Sequence, residues 1–183
     1  MLTQNTAWKN VEKALEALGR AGLMSPRKMA VCRLAALERA IRPSGYFRQK
    51  AGRLKGFSAR VLREHPEGLR SWLRSVPAGE LRRELLSHKG IGPETADCIV
   101  LYAAGKAGFV IDAYTRRIVS RAGAAAGLSY DGWKALFERS LPPDVKMYNE
   151  YHALLVRLGK DFCRKTRPLC ASCPIENICD KNI

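Results

Sequence analysis

Apolar positions recur along this chain at the three-and-four spacing of helices. Val11, Ala14, Leu15 and Leu18 make a first stripe, with Asn5 or Thr6 as candidate cap and Gly19 to Gly22 as the stop. Similar spacing predicts helices over 34–41, ending at Arg42-Pro43, and over 46–62, ahead of His65-Pro66-Glu67-Gly68. Short helices are expected over 69–74 and 78–86, then longer ones over 94–104, 115–122, 130–139 and 145–158. Strand-like alternation is missing, apart from Phe109-Val110-Ile111, which is too short and isolated for a sheet. No repeat period or low-complexity tract interrupts the pattern. The expectation is an all-α fold, either one globular unit or two small lobes.

Charge narrows the class. The 183 residues carry 32 Lys and Arg against 17 Asp and Glu, a formal net charge of +15, while 46% apolar residues exclude a disordered basic tail. No apolar run reaches the ~18 residues of a membrane span, and the N-terminus lacks the layout of a secretion signal. A soluble, intracellular, basic domain is expected, with a polyanion as its partner and no membrane role. Charge alone does not choose the polyanion, because anionic membrane surfaces also attract basic proteins.

The cysteines are unevenly placed. Cys32 and Cys98 sit alone in apolar stretches and read as ordinary buried residues. Cys163, Cys170, Cys173 and Cys179 crowd the C-terminus in the spacing C-x6-C-x2-C-x5-C. A reducing compartment disfavours disulfides, so four gathered thiolates point to a metal site. Structural zinc usually takes two paired knuckles, and only one C-x2-C pair is present. A [4Fe-4S] cube also takes four cysteines, and an irregular wrap stiffened by Pro174 suits its larger girth. Arg164, Lys165 and Arg167 put cations on the first loop of that wrap, as a phosphate contact requires, although solvated surface would look the same.

A second feature is the turn Ser87-His88-Lys89-Gly90-Ile91-Gly92-Pro93-Glu94, between one helix and the next. Gly90 and Gly92 allow a tight hairpin whose backbone can approach a ligand without a Cβ in the way. Pro93 suits the first turn of the following helix, whose N-terminal amides attract phosphate oxygens. Lys89 adds a full charge, and Ile91 would plug the space behind the turn.

Gly90-Ile91-Gly92-Pro93-Glu94-Thr95-Ala96, then Val110-Ile111-Asp112, then the cysteine tail resemble the helix-hairpin-helix (HhH-GPD) DNA glycosylases of the endonuclease III superfamily. The likeness covers essentially the whole chain. The stretch Arg42-Pro43-Ser44-Gly45-Tyr46-Phe47-Arg48-Gln49-Lys50-Ala51 looks closest to the branch that excises 3-methyladenine. The resemblance implies a helical-barrel lobe over 1–110 containing the hairpin at about 78–104, and a lobe over 111–183 holding the catalytic aspartate and the [4Fe-4S] cluster. It implies a monomer in the cytoplasm, at the nucleoid, acting on double-stranded DNA with a damaged base flipped out of the stack. Gln4 matches the residue that fills the vacated gap, and Tyr46 the wedge into the opposite strand. Trp8, Phe47 and Lys160 match positions of the base pocket, and Tyr114 is a further aromatic near the cleft. Relatives also carry a segment ahead of Leu2-Thr3-Gln4-Asn5; its lack would leave one apolar flank of the cluster lobe uncovered.

Chemistry follows from the same positions. Breaking an N-glycosidic bond builds positive charge on the sugar, which a fixed carboxylate stabilises while it orients water. Asp112 matches that carboxylate, although a helix cap alone would also explain it. In endonuclease III proper the hairpin supplies a lysine that attacks the sugar and permits strand cleavage, whereas this chain has Glu94. The expectation is therefore a monofunctional glycosylase for alkylated purines, with Asp112 essential. Glu94 is a possible second acid or base, or simply a first-turn anion. The alternatives are an oxidised-pyrimidine glycosylase with AP lyase activity, and a catalytically weak iron–sulfur protein that only binds DNA.

Overall fold

The computed structural model describes residues 1–183 and contains ten α-helices and no β-strand, in keeping with the all-α expectation. No helix is long and apolar enough to cross a membrane. The chain packs as two compact units, Met1–Gly92 and Pro93–Ile183. The expected lobes divided at 110/111, whereas the packing divides at Gly92–Pro93. The reason lies in the core: Leu101 and the run Phe109-Val110-Ile111 pack with Ile118, Trp133 and Phe137 of the second unit.

In the first unit α1 (Trp8–Arg20), α3 (Leu34–Ile41) and α4 (Phe47–Glu64) bury Ala14, Leu18, Leu37, Ile41 and Ala51 against one another. The stripe of α1 is narrower than expected, because Leu15 is 37% exposed. Its cap also differs. Ala7 precedes the helix with no side-chain cap, and Thr6 Oγ1 instead accepts from Asn10 Nδ2 at 3.3 Å. A further helix, α2 (Pro26–Val31), was not anticipated and lies against α4. Ser25 Oγ accepts from the Lys28 amide at 3.2 Å, and Pro26 opens the first turn. Cys32 ends this helix half-buried, its thiol donating to the Met29 carbonyl, so it is not the buried apolar residue expected. Helices α5 (Leu69–Ser75) and α6 (Ala78–Leu86) follow, with Trp72 buried and its Nε1 donating to Glu84 Oε2 at 2.6 Å.

The second unit begins with α7 (Pro93–Cys98), which runs directly into a π-turn at Ile99–Ala103 instead of continuing as the expected α-helix to 104. Then α8 (Ala113–Arg121), α9 (Tyr130–Ser140) and α10 (Val145–Asp161) surround the run Phe109-Val110-Ile111, each residue of which is fully buried. That run forms no strand, so its backbone polar groups need other partners. Side chains of α9 supply them. Glu138 Oε1 accepts from the Phe109 amide at 3.0 Å, Lys134 Nζ donates to the Phe109 carbonyl at 3.4 Å, and Tyr130 Oη accepts from the Ile111 amide at 3.3 Å. Lys134 is held in turn by Glu138 at 2.6 Å and by buried Asp97 at 3.1 Å. Phe109 stacks on Phe137 with ring centroids 4.2 Å apart. The extended segment is thereby fixed at the point where it delivers Asp112.

The chain ends in a loop with two short 3-10 turns, Cys170–Ser172 and Glu176–Ile178. An apolar groove lined by Val119, Leu136, Leu141, Leu154, Leu158 and Ile178 runs along this unit, with Leu154 57% and Ile178 77% exposed.

Candidate functional site

Asp112 is the N-cap of α8, and its two carboxylate oxygens have different tasks. Oδ1 accepts from the Thr115 amide at 2.7 Å and from Thr115 Oγ1 at 2.9 Å, which is the capping role. Oδ2 takes no part in the cap and lies 3.4 Å from His152 Nε2 of α10. The Asp112 side chain is only 13% exposed. Burial pushes its pKa up, but the His152 contact and the Thr115 donors outweigh this and hold it below the ordinary carboxylate value. Capping and a charged, inward-facing oxygen therefore coexist in one residue.

Glu94 stands on the first turn of α7 and behaves oppositely. Although its side chain reaches the surface, desolvation of the carboxyl raises its pKa, and the charge of Asp112 raises it further, against the opposing pull of Arg116 and His152. Two neighbouring carboxyls with proton affinities pushed apart are the usual layout of an acid and a base. Cys98, one turn along, is no nucleophile: burial first, then Glu94 and Asp112, push its thiol up to about 12.

In the first unit the structure joins three of the expected DNA contacts. Gln4 Nε2 donates to the carbonyl of Gly90 in the hairpin at 3.2 Å. Tyr46 is 70% exposed and left-handed, with φ 46°, just after Gly45 at φ 69°. The link between them is Lys50, which sequence reading did not single out. Its ammonium is buried and donates to the carbonyls of Leu2 at 3.0 Å, Gln4 at 2.7 Å and Ser44 at 2.7 Å. All three of its protons are used, so one cation ties the Gln4 segment to the turn that carries Tyr46. Replacing Lys50 by Met strands three carbonyls, and we expect a loss of about 3 kcal/mol, read as a lower urea midpoint with unchanged m-value.

The hairpin itself explains one glycine locally. Gly90 adopts φ 92°, and a Cβ there would fall 2.4 Å from Arg53 Cδ. Gly92 has an ordinary φ and open space where a Cβ would stand, so nothing within the chain demands a glycine. Lys89 is exposed and Ile91 is buried at 5%. Trp8 is 59% exposed, its Nε1 donating to Glu12 Oε1 at 2.8 Å, so it is not a core residue. Phe47 packs half-buried on the first unit's core, with the guanidiniums of Arg42 and Arg48 at 5.9 and 5.8 Å from its ring centroid. Lys160 is exposed near the end of α10. Gly159 beside it is occluded by Tyr114, whose Cδ1 would lie 2.3 Å from a Cβ.

The four C-terminal cysteines line one cavity, walled by Ile118, Phe162 and Ile175. No three acidic, cysteine or histidine groups converge closely enough to hold a single ion. Four thiols round one apolar cavity are a donor set that a [4Fe-4S] cube can take. Arg121 braces the first loop: Nη1 donates to the Arg164 carbonyl at 2.7 Å and approaches Cys163 Sγ at 3.5 Å, while Nη2 donates to the Lys165 carbonyl at 3.1 Å. Arg164, Lys165 and Arg167 consequently stand exposed on a backbone held from beneath, with Arg167 left-handed at φ 53°.

Sequence reading missed His152, Tyr102 and Lys50. A histidine midway along an amphipathic stretch and a lysine inside an expected helix gave no signal, because their significance depends on what faces them.

The family model described as HhH-GPD superfamily base excision DNA repair protein matches residues 1–143. A Methanocaldococcus jannaschii protein named "Putative DNA repair glycosylase MJ1434" is 42% identical over 180 residues, covering 98% of this chain and 81% of that protein. Endonuclease III of Thermotoga maritima is 28% identical, over 98% of this chain and 79% of its own length. Among solved structures, the Helicobacter pylori 3-methyladenine DNA glycosylase MagIII bound to 1,N6-ethenoadenine is similar with TM-score 0.75 and 29% identity, covering 87% of this chain and 80% of that one. An endonuclease III–DNA complex shares the fold with TM-score 0.83 at 24% identity, over 98% of this chain and 79% of that one.

Proposed function

The chain belongs to the HhH-GPD superfamily of base excision DNA repair proteins, and we propose that it is a monofunctional DNA glycosylase for alkylated purines of the 3-methyladenine type. The observation that carries the reading is the opposed pair of carboxyls, an ionised Asp112 with one oxygen outside the cap and a Glu94 where a lyase would need an amine. Double-stranded DNA with a damaged base is the substrate. Gln4 and Tyr46 enter the stack as the base leaves it, while Lys89, the Gly90–Gly92 backbone and the cations Arg164, Lys165 and Arg167 take phosphates. Trp8, Phe47 and Lys160 line the base pocket, and the protein acts as a monomer.

In the reaction the bond from the sugar's anomeric carbon to the base nitrogen breaks, and its electron pair leaves with the base. An N3-methylated adenine is already cationic, so it departs neutral and needs little help from an acid. Positive charge grows on the sugar opposite Asp112, where a buried anion is most effective. Water then bonds to the anomeric carbon and gives its proton to the Asp112 carboxylate, leaving an abasic site. Glu94, which retains its proton more readily, serves neutral leaving groups. Glu94→Gln should cost less than about threefold on cationic 3-methyladenine and about tenfold or more on neutral 1,N6-ethenoadenine, in single-turnover base release.

Cys163, Cys170, Cys173 and Cys179 are the residues that would hold a [4Fe-4S] cluster, whose contribution there is to fix the loop rather than to react.

Borohydride trapping separates this reading from a lyase. Lesion-bearing duplex incubated with the protein and borohydride should give no covalent adduct, and the abasic strand should stay intact until heated in alkali. An adduct would place a nucleophilic amine at the site and overturn the monofunctional reading.

A further inference from the structure

Resting on Asp112 as the reactive carboxylate, we propose that Tyr102 and His152 form a relay that positions it, with Tyr102 fixing the histidine tautomer and His152 aiming the carboxylate oxygen not used by the cap. Tyr102 lies on the π-turn Ile99–Ala103, and its Oη is 2.6 Å from His152 Nδ1. Single π-turns inside helices concentrate at functional sites because they re-aim a side chain. Burial pushes the Tyr102 hydroxyl up to about 12, so it keeps its proton, and in the proposed relay it donates that proton to Nδ1. In that arrangement Nε2 carries a proton toward Asp112 Oδ2, 3.4 Å away.

His152 Nε2 is enclosed and has no ordinary hydrogen-bond partner, and the His152 side chain is 12% exposed. A buried donor left at 3.4 Å from a carboxylate is an unspent interaction. Such contacts are often long in the ligand-free enzyme and tighten when substrate is bound. With Oδ1 committed to Thr115, His152 leaves Oδ2 one direction in which to receive water. The groups facing Asp112 are Glu94 and Cys98 on α7, Tyr102 on the π-turn and His152 on α10, with Arg116 of α8 beside Glu94. His152 is the one among them that lowers the carboxylate's proton affinity from another helix.

Two measurements on the whole chain test the relay. Nitrogen NMR of the imidazole reads the tautomer without any substrate: the Nε2–H form is expected in the native protein, and a mixture of tautomers in Tyr102→Phe. Single-turnover release of 3-methyladenine across pH reads the consequence. In His152→Ala the acid limb should move to higher pH, because Asp112 loses the facing imidazole, and the neutral-pH rate should fall about tenfold. His152→Gln, whose amide nitrogen reaches as far as Nε2, should restore most of both; a general packing defect would not be rescued with its pH profile. An unchanged acid limb in His152→Ala, or the Nδ1–H tautomer in the native protein, would overturn the relay. Should His152→Ala fail to fold, Tyr102→Phe supports or overturns it by the tautomer alone. If no lesion is released by the native chain, the glycosylase reading fails, while the tautomer result still decides the relay.

Discussion

Asp112→Asn should release methylated purine at least about a thousandfold more slowly than the native chain, a loss of about 4 kcal/mol of transition-state stabilisation. The fold should survive the change. Asn is as good an N-cap as Asp, and its side-chain oxygen can still accept from the Thr115 amide now bound to Oδ1. What is lost is the charge, together with the acceptor facing His152 Nε2, which meets an amide instead. A thermal midpoint within a few degrees of native, alongside abolished base release, would separate chemistry from packing. The acid side of the stability profile should change as well. The folded pKa of Asp112 lies below its ordinary value, so its contribution to stability is complete above that value and is lost as pH falls through the lowered one. In Asp112→Asn that portion of the acid sensitivity should be missing.

The second large effect is expected at the cysteine cavity. Cys170→Ser should abolish iron incorporation, read as loss of the visible absorbance and of stoichiometric iron, and should lower thermal stability by ten degrees or more on the order expected of a lost structural metal centre. Duplex affinity should fall with it, since Arg164, Lys165 and Arg167 lie on the loop between the first two cysteines. The diagnostic quantity is the salt dependence. Each phosphate contact given up should make the slope of log affinity against log salt shallower by about 0.9. Arg121 also holds the Arg164 and Lys165 carbonyls, so the loss should be partial, and the slope should change by fewer than the three cations' worth. Equal affinity and slope in iron-replete and iron-free protein would refute a positioning role for this loop.

The helical architecture was legible because amphipathic spacing is a local signal. The stretches 34–41, 69–74, 78–86 and 130–139 all reappear as helices within a residue or so. Misses occurred where local rules were overridden. The cap of α1 moved to Ala7 because Asn5 adopts a left-handed conformation and Thr6 turns to Asn10. Helix α2 carried a readable Ser25-Pro26 start that its short length disguised. The π-turn after Cys98 has no sequence signature, and it is what places Tyr102 near His152.

Site residues divide along the same line. Asp112 and the cysteines could be named in advance because a cap position and thiol spacing are properties of short segments. Lys50, His152 and the Lys134–Glu138 support for Phe109 could not, since each depends on a partner 25 to 50 positions away in sequence. A buried lysine whose three protons meet three carbonyls looks, in sequence, like any other basic residue of a chain with 32 of them.

Mass spectrometry of the free bases released from one duplex pool bearing both methylated and oxidised lesions tests the central claim most directly. The site described here should liberate 3-methyladenine and leave the abasic strand uncut. Release of oxidised pyrimidines with concomitant strand cleavage would contradict it, and would mean that Glu94 does not define the chemistry of this site.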